Sequence, residues 1–83
     1  MRRDDGSWLL DGLMPVNELK SRLDIKELPA EDKGRYNTLA GLLLYVLGQL
    51  PVVAQQIELD DWVFEVMDLD GRRIDKVLAT RKP

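Results

Sequence analysis

The side chains in this sequence that could do chemistry are carboxylates. Asp60-Asp61 and Asp68-Leu69-Asp70-Gly71 are the acids whose type and grouping invite a metal ion. Hard divalent cations take oxygen ligands, so aspartates beside a turn glycine are the natural place to look. The spacing argues against a built site. In a helix–loop–helix calcium loop glycine is sixth and a glutamate twelfth, whereas counting from Asp68 places glycine fourth and Ala79 twelfth. Nor can the two groups share one ion. A strand of about seven residues between them, at ~3.3 Å each, holds them more than ~20 Å apart. Asp60, Asp61, Asp68 and Asp70 are therefore candidates only for open magnesium or calcium sites completed by carbonyls and water. Their bland reading is as solvated turn acids.

Other chemistries find fewer parts. The chain has no His and no Cys, which removes thiolate nucleophiles, thiolate zinc sites and disulfides, and leaves no side chain that ordinarily titrates near neutrality. Ser7 and Ser21 are the only serines, with no imidazole to activate either. Gly41 and Gly48 lack the Lys-Ser/Thr of a phosphate loop. Any two acids could meet as a glycosidase pair, but 83 residues leave no second lobe to build a cleft. No catalytic residue is assigned, and the chain is expected not to be an enzyme. The net charge of −3 argues against binding nucleic acid through its phosphates.

These residues must be positioned by a single small domain, since the length suffices for one and not two. The first residues, Met1-Arg-Arg-Asp-Asp, have no apolar run behind them and do not make a signal peptide. Ser7 to Asp11 reads as a short strand between Gly6 and Gly12. Pro15 suits a first helical turn, and Val16, Leu19 and Leu23 repeat at helical spacing. Asp24 to Gly34 is a charged connection with Leu28-Pro29 tucked beneath it.

The central stretch is the most informative. From Tyr36 to Ile57 there is no charged residue. Asn37 or Thr38 can cap a helix on which Leu39, Leu42, Leu43, Val46, Leu47 and Leu50 form a stripe that Pro51 ends. At 1.5 Å per residue this apolar segment covers roughly 18 Å, short of the ~30 Å of a bilayer core, so insertion into a membrane is not expected. Ala40, Gly41, Leu44, Tyr45 and Gly48 fall opposite the stripe. Either that side packs within the domain, or Gly41, Tyr45 and Gly48 meet a second copy or a neighbouring domain, with Gly48 alternatively marking the helix end.

After Pro51 the period becomes two. Gln56-Ile57-Glu58-Leu59, Trp62 to Asp68 and about Arg72 to Thr80 read as strands, the last two joined by a turn at Asp70-Gly71. That turn sets Asp68 opposite Arg73 and Glu65 opposite Lys76, a favourable charge pattern, and Val66 opposite Asp75, which invites a bulge. Arg72, Arg73, Lys76, Arg81 and Lys82 near the end could face an anionic partner, or simply offset the acids of the adjacent strand. The predicted fold is α+β, a small antiparallel sheet packed against two main helices in the order β-α-α-β-β-β.

With these residues in place the chain resembles the CorC/HlyC transporter-associated domain. The matching pieces are Asp5-Gly6-Ser7-Trp8, Leu10-Asp11-Gly12 and Pro15, then Tyr36-Asn37-Thr38-Leu39-Ala40-Gly41-Leu42. Leu47-Gly48-Gln49-Leu50-Pro51, Phe64-Glu65-Val66 and Asp70-Gly71-Arg72-Arg73-Ile74 with Val77 follow in order. The domain is placed at residues 5–80, with 1–4 and 81–83 as flanking residues. One departure stands out: where the family has a glycine and then an acid after this Leu-Gly-x-x-Pro segment, this chain has Ala54-Gln55, which puts a tight positive-φ turn there in doubt. The resemblance implies a fold related to part of the FAD-binding domain of flavin oxidases, with FAD itself not expected because only a fragment of that fold is present. It implies a regulatory or interaction domain, or alternatively a small-ligand or divalent-ion sensing module, in a bacterial hemolysin-like or magnesium and cobalt efflux protein. It further implies CBS and membrane domains of the same protein as partners, a homo-oligomer as an option, and a place on the cytoplasmic side of the inner membrane.

Overall fold

The apolar residues of the C-terminal half alternate with polar ones, and the alternation builds the sheet. The computed structural model describes residues 6–29 and 34–82. Its elements are β1 (Trp8–Asp11), α1 (Val16–Leu23), α2 (Leu39–Leu47), β2 (Gln56–Leu59), β3 (Trp62–Asp70) and β4 (Arg73–Arg81). The four strands form one antiparallel sheet in the order β1-β4-β3-β2. Leu10, Ile57, Leu59, Trp62, Phe64, Val66, Ile74, Val77 and Ala79 are buried in the core with Leu19 and Leu23 of α1 and Leu39, Ala40, Leu42 and Leu43 of α2. The fold class and element order expected from the sequence are those observed.

The β3–β4 pairing differs from the expected one. The turn is Gly71-Arg72, so Asp70 faces Arg73, Leu69 faces Ile74, Asp68 faces Lys76 and Val66 faces Val77. Glu65 faces Leu78, not Lys76. Met67 and Asp75 fall between successive pairs, where the register shifts. The reason is the side-chain pattern. Ile74 and Val77 are both fully buried although three positions apart, as are Val66 and the partly buried Leu69, and strict alternation cannot turn both members of either pair inward. An extra residue on each strand restores the inward face. The last strand also begins and ends one residue later than the reading from sequence: Arg81 pairs with Trp62, and the Lys82 N–H donates to the Asp61 carbonyl (2.8 Å).

The irregularity at Asp75 is used. Its carbonyl accepts from the Gly12 N–H (2.8 Å), and the Gly12 carbonyl accepts from Ala40 N–H at the start of α2 (2.8 Å). A Cβ on Gly12 would run into the Ile74 carbonyl oxygen, so only glycine lets these three segments approach. The first N–H groups of a helix lack partners within it. In α2 Leu39 donates to the Met14 carbonyl, Ala40 to Gly12, Gly41 to the Thr38 hydroxyl (3.1 Å) and Leu42 to the Thr38 carbonyl. The entrance to α1 is tied to the same place, with Val16 N–H on the Asn37 carbonyl and a bridge between Pro15 and Thr38. Both helices are thereby hung from one point against the sheet.

Of the two ends the sequence offers for α2, the glycine is the one observed. The helix ends at Leu47, where Gly48 adopts the left-handed conformation (φ 76°) and its N–H returns to the Leu44 carbonyl. Pro51 comes after the stop and does not cause it; Leu50 lies outside the helix, and Leu50 and Val46 are exposed where the stripe placed them inward. The link then runs beside β3, with Ala54 N–H on the Val66 carbonyl (2.7 Å) and Val66 N–H on the Gln55 carbonyl (3.0 Å). Ala54 has φ 76°, so the positive-φ turn is retained although alanine stands there.

Candidate functional site

The four acids do not converge. Asp60 and Asp61 form the β2–β3 turn, Asp60 with φ 55°, while Asp68 and Asp70 lie at the far end of β3, opposite Lys76 and Arg73. All four are exposed, and among the described residues no three His, Cys, Asp or Glu side chains gather within reach of one ion. Asp60 instead shares an open depression of about 390 Å³ with Glu27, Leu28, Pro29 and Leu59. Glu27 was not singled out in the sequence. No linear signal could have found it, because it meets Asp60 only through the fold.

The basic residues near the end are partly engaged. The Lys76 ammonium reaches the Asp11 carboxylate (3.3 Å) and Lys82 reaches Glu58 (3.0 Å), while the Arg81 guanidinium lies 5.7 Å from the Trp62 ring centroid. Asp11 also accepts from the Leu13 N–H (2.9 Å). That backbone donor first, and the Lys76 charge with it, hold its carboxyl below the ordinary carboxylate range.

Of the residues considered for interaction, Gly41 meets its own chain. A Cβ there would lie 3.2 Å from the Tyr36 Cβ and 3.4 Å from the Thr38 hydroxyl oxygen, so its small size has a use inside the domain. Gly48 faces open space and serves the helix end. Tyr45 is exposed, its ring tilted at 44° against that of Tyr36 with centroids 5.6 Å apart. Among the described residues the large exposed hydrophobic side chains are Leu13, Tyr45, Val46, Leu50, Val52, Val53 and Met67. Five of these fall within nine consecutive positions at the end of α2 and in its link, a clustering that marks this surface as the one to explain. The sequence did carry a signal for it: the uncharged run extends well beyond the helix it contains.

No helix among the described residues is long and apolar enough to cross a membrane. The chain is 45% identical over 83 residues to a UPF0053 protein of Synechocystis sp., matching all of this chain and 18% of that protein. It is 38% identical over 79 residues to the polyamine export protein of Escherichia coli K12, matching 95% of this chain and 17% of that protein. The chain thus spans less than a fifth of the curated relatives it matches. Among solved structures, the transporter associated domain of a Xylella fastidiosa hemolysin, in complex with Mg²⁺ and Mn²⁺, superposes with a TM-score of 0.89 at 37% identity, covering 100% of this chain and 96% of that one. The CorC_HlyC family model, described as a transporter associated domain, matches residues 1–83, and the chain belongs to that family.

Proposed function

We propose that this domain is a non-catalytic regulatory module of a membrane cation exporter, lying on the cytoplasmic side and acting through contacts with the CBS and membrane domains of the same polypeptide. The observation that carries the reading is the whole-chain match to a transporter associated domain that occupies under a fifth of exporters such as the polyamine export protein. The geometry agrees with it. The helix side of the sheet is filled by one continuous core, and the described surface offers a run of exposed apolar residues at the end of α2. The transported cation is of the polyamine or divalent class, and magnesium and cobalt are the ions the family resemblance suggests. The test is cation efflux from cells carrying the full-length protein with and without residues 6–82. Export that persists with an altered dependence on internal cation concentration supports regulation. Export unchanged in both rate and concentration dependence refutes it.

A second reading, direct sensing of a cation by the domain, is favoured by the Xylella relative's complex with Mg²⁺ and Mn²⁺. Here the candidate groups are Glu27 with Asp60 in the depression, together with Asp61, Asp68 and Asp70 as open single-carboxylate positions. Isothermal titration with magnesium, manganese, cobalt, calcium and spermidine tests it. Neither heat nor thermal shift at ~1 mM cation removes it.

A further inference from the structure

We propose that Asp70-Gly71, at the tip of the β3–β4 hairpin, is a site of spontaneous backbone modification at which the folded domain converts aspartate to isoaspartate. This goes beyond the regulatory reading and stands whether or not the domain senses a cation, because it concerns the chemistry of one peptide bond. The reaction has two stages. The Gly71 backbone nitrogen attacks the side-chain carboxyl carbon of Asp70, a C–N bond forms, and the carboxyl hydroxyl leaves with the amide proton as water. A five-membered succinimide results. Water then opens the ring at either carbonyl. Opening at the main-chain carbonyl leaves the chain running through the side-chain carbon, which is isoaspartate, and opening at the other restores aspartate. Glycine after the aspartate favours closure because no Cβ crowds the approach.

The chain carries its own control. Asp-Gly occurs at 5–6, 11–12 and 70–71, and Asp5 lies outside the described residues. The other two have the same chemistry and opposite surroundings. At Asp11-Gly12 the attacking nitrogen is engaged, its N–H donating to the Asp75 carbonyl (2.8 Å), in a junction so close that a Cβ on Gly12 would strike the Ile74 carbonyl. The carboxyl is engaged too, by the Leu13 N–H (2.9 Å) and the Lys76 ammonium (3.3 Å). Ring closure needs the neutral acid, and that backbone donor first, with Lys76, makes the neutral form of Asp11 scarcer. Asp70-Gly71 has neither restraint. Asp70 is exposed, ends β3 and pairs there with Arg73. Gly71 is the first turn residue, at φ 63°, with open space where a Cβ would stand. Among the described residues no hydrogen bond or ion pair engages the Asp70 carboxylate. Turning the extended Asp70 backbone so that nitrogen meets carboxyl breaks the terminal pair of one ladder. The same turn at Asp11 breaks the junction of β1, β4 and α2. A hairpin end opens with far less free energy than such a junction.

Incubation of the 83-residue chain for several weeks at neutral pH, folded in buffer and unfolded in ~8 M urea, tests the proposal. Peptide mapping with electron-transfer fragmentation, which tells isoaspartate from aspartate at each position, is the readout. In the folded domain the product is expected to accumulate at Asp70 more than ~10-fold faster than at Asp11. In urea, where both dipeptides lose their surroundings, the two rates come within about 3-fold of each other. Asp70→Glu folds as the wild type does by circular dichroism, since the side chain is exposed, and gives no product at that position because a six-membered ring closes slowly. A folded domain in which Asp70 reacts no faster than Asp11, or not at all, overturns the proposal. So does a preference for Asp70 that persists undiminished in urea, since local sequence and not the fold would then set it. These outcomes are independent of the efflux experiment, which reads the domain's effect on transport.

Discussion

Replacing Ala54 by glycine raises the stability of this domain. Ala54 sits at φ 76°, where an L-residue with a Cβ is worse than in its right-handed conformation by ~1–2 kcal/mol. Glycine removes that strain but makes the unfolded chain more flexible, which returns ~0.4–1 kcal/mol. The alanine side chain is exposed, so its loss creates no cavity. The net gain is about 0.7 kcal/mol. At ~2.1 cal/mol/K per residue, 83 residues give an unfolding entropy of about 0.17 kcal/mol/K, so Tm rises by about 4 °C. Differential scanning calorimetry of wild type, Ala54→Gly and Ala54→Val measures it. The valine variant falls below wild type, because branching at Cβ worsens the same clash. Asp60→Gly is the control at another left-handed residue: aspartate tolerates this region, so the change in Tm is smaller than at Ala54. A Tm for Ala54→Gly equal to or below wild type refutes the reasoning, since it would mean that the turn costs the alanine nothing.

Gly12→Ala drives a methyl group into the Ile74 carbonyl and separates β1, β4 and α2; it costs about 3 kcal/mol or more, read as a large fall in urea midpoint or failure to fold. Thr38→Ala removes the hydroxyl that accepts from Gly41 N–H and costs about 1 kcal/mol, or about 6 °C in Tm, with Thr38→Ser recovering most of it. The Asp11 carboxyl titrates below its ordinary range in the folded chain, so its contribution is present at neutral pH and is lost as pH falls through that lowered value. Wild type is therefore more stable than Asp11→Asn at pH 7, by about 0.3 kcal/mol for a screened surface group, and thermal melts at lower pH show the difference closing.

The order of the elements could be read from residue types because each signal was local. Thr38 before an apolar run, Pro15 before another and the change of period after Pro51 each depend on a few neighbours. What could not be read was whatever depended on two segments at once. The β3–β4 register is an example. A two-residue turn at Asp70-Gly71 gave attractive charge pairs, yet it faced Val66 with Asp75. The fold rejects it in favour of facing Val66 with Val77, because this register buries Ile74 and Val77 together and still sets Asp68 opposite Lys76 and Asp70 opposite Arg73. The spacing of three between those residues was the signal that alternation had to break. Glu27 and Asp60 make the same point for the candidate site: 33 positions apart, they line one depression through a return of the chain that no spacing encodes. The end of α2 was left between two positions for a simpler reason. Pro51 and Gly48 can each end a helix, and the glycine, three residues earlier, adopts the left-handed cap first.

The two outward surfaces of the domain differ in how they meet water, and the difference bears on what the uncharged run is for. On the open face of the sheet partly exposed apolar residues are interspersed with polar ones: Leu9 faces Leu78, Leu78 faces Glu65, and Glu65 faces Gln56, whose amide reaches it at 3.4 Å. That pattern keeps a face solvated without weakening the strands. At the end of α2 the same device was open to the chain and is not used. Val46, Leu50, Val52 and Val53 add little to the core, so polar residues there would cost little folding stability and would lower the risk of association. From α2 the core takes Leu39, Ala40, Leu42 and Leu43, with Leu44 and Leu47 packed against it. Tyr36 and Ile57 in the same charge-free stretch belong to the core as well, so what folding a single copy leaves unexplained in that stretch is the exposed set Val46, Leu50, Val52 and Val53.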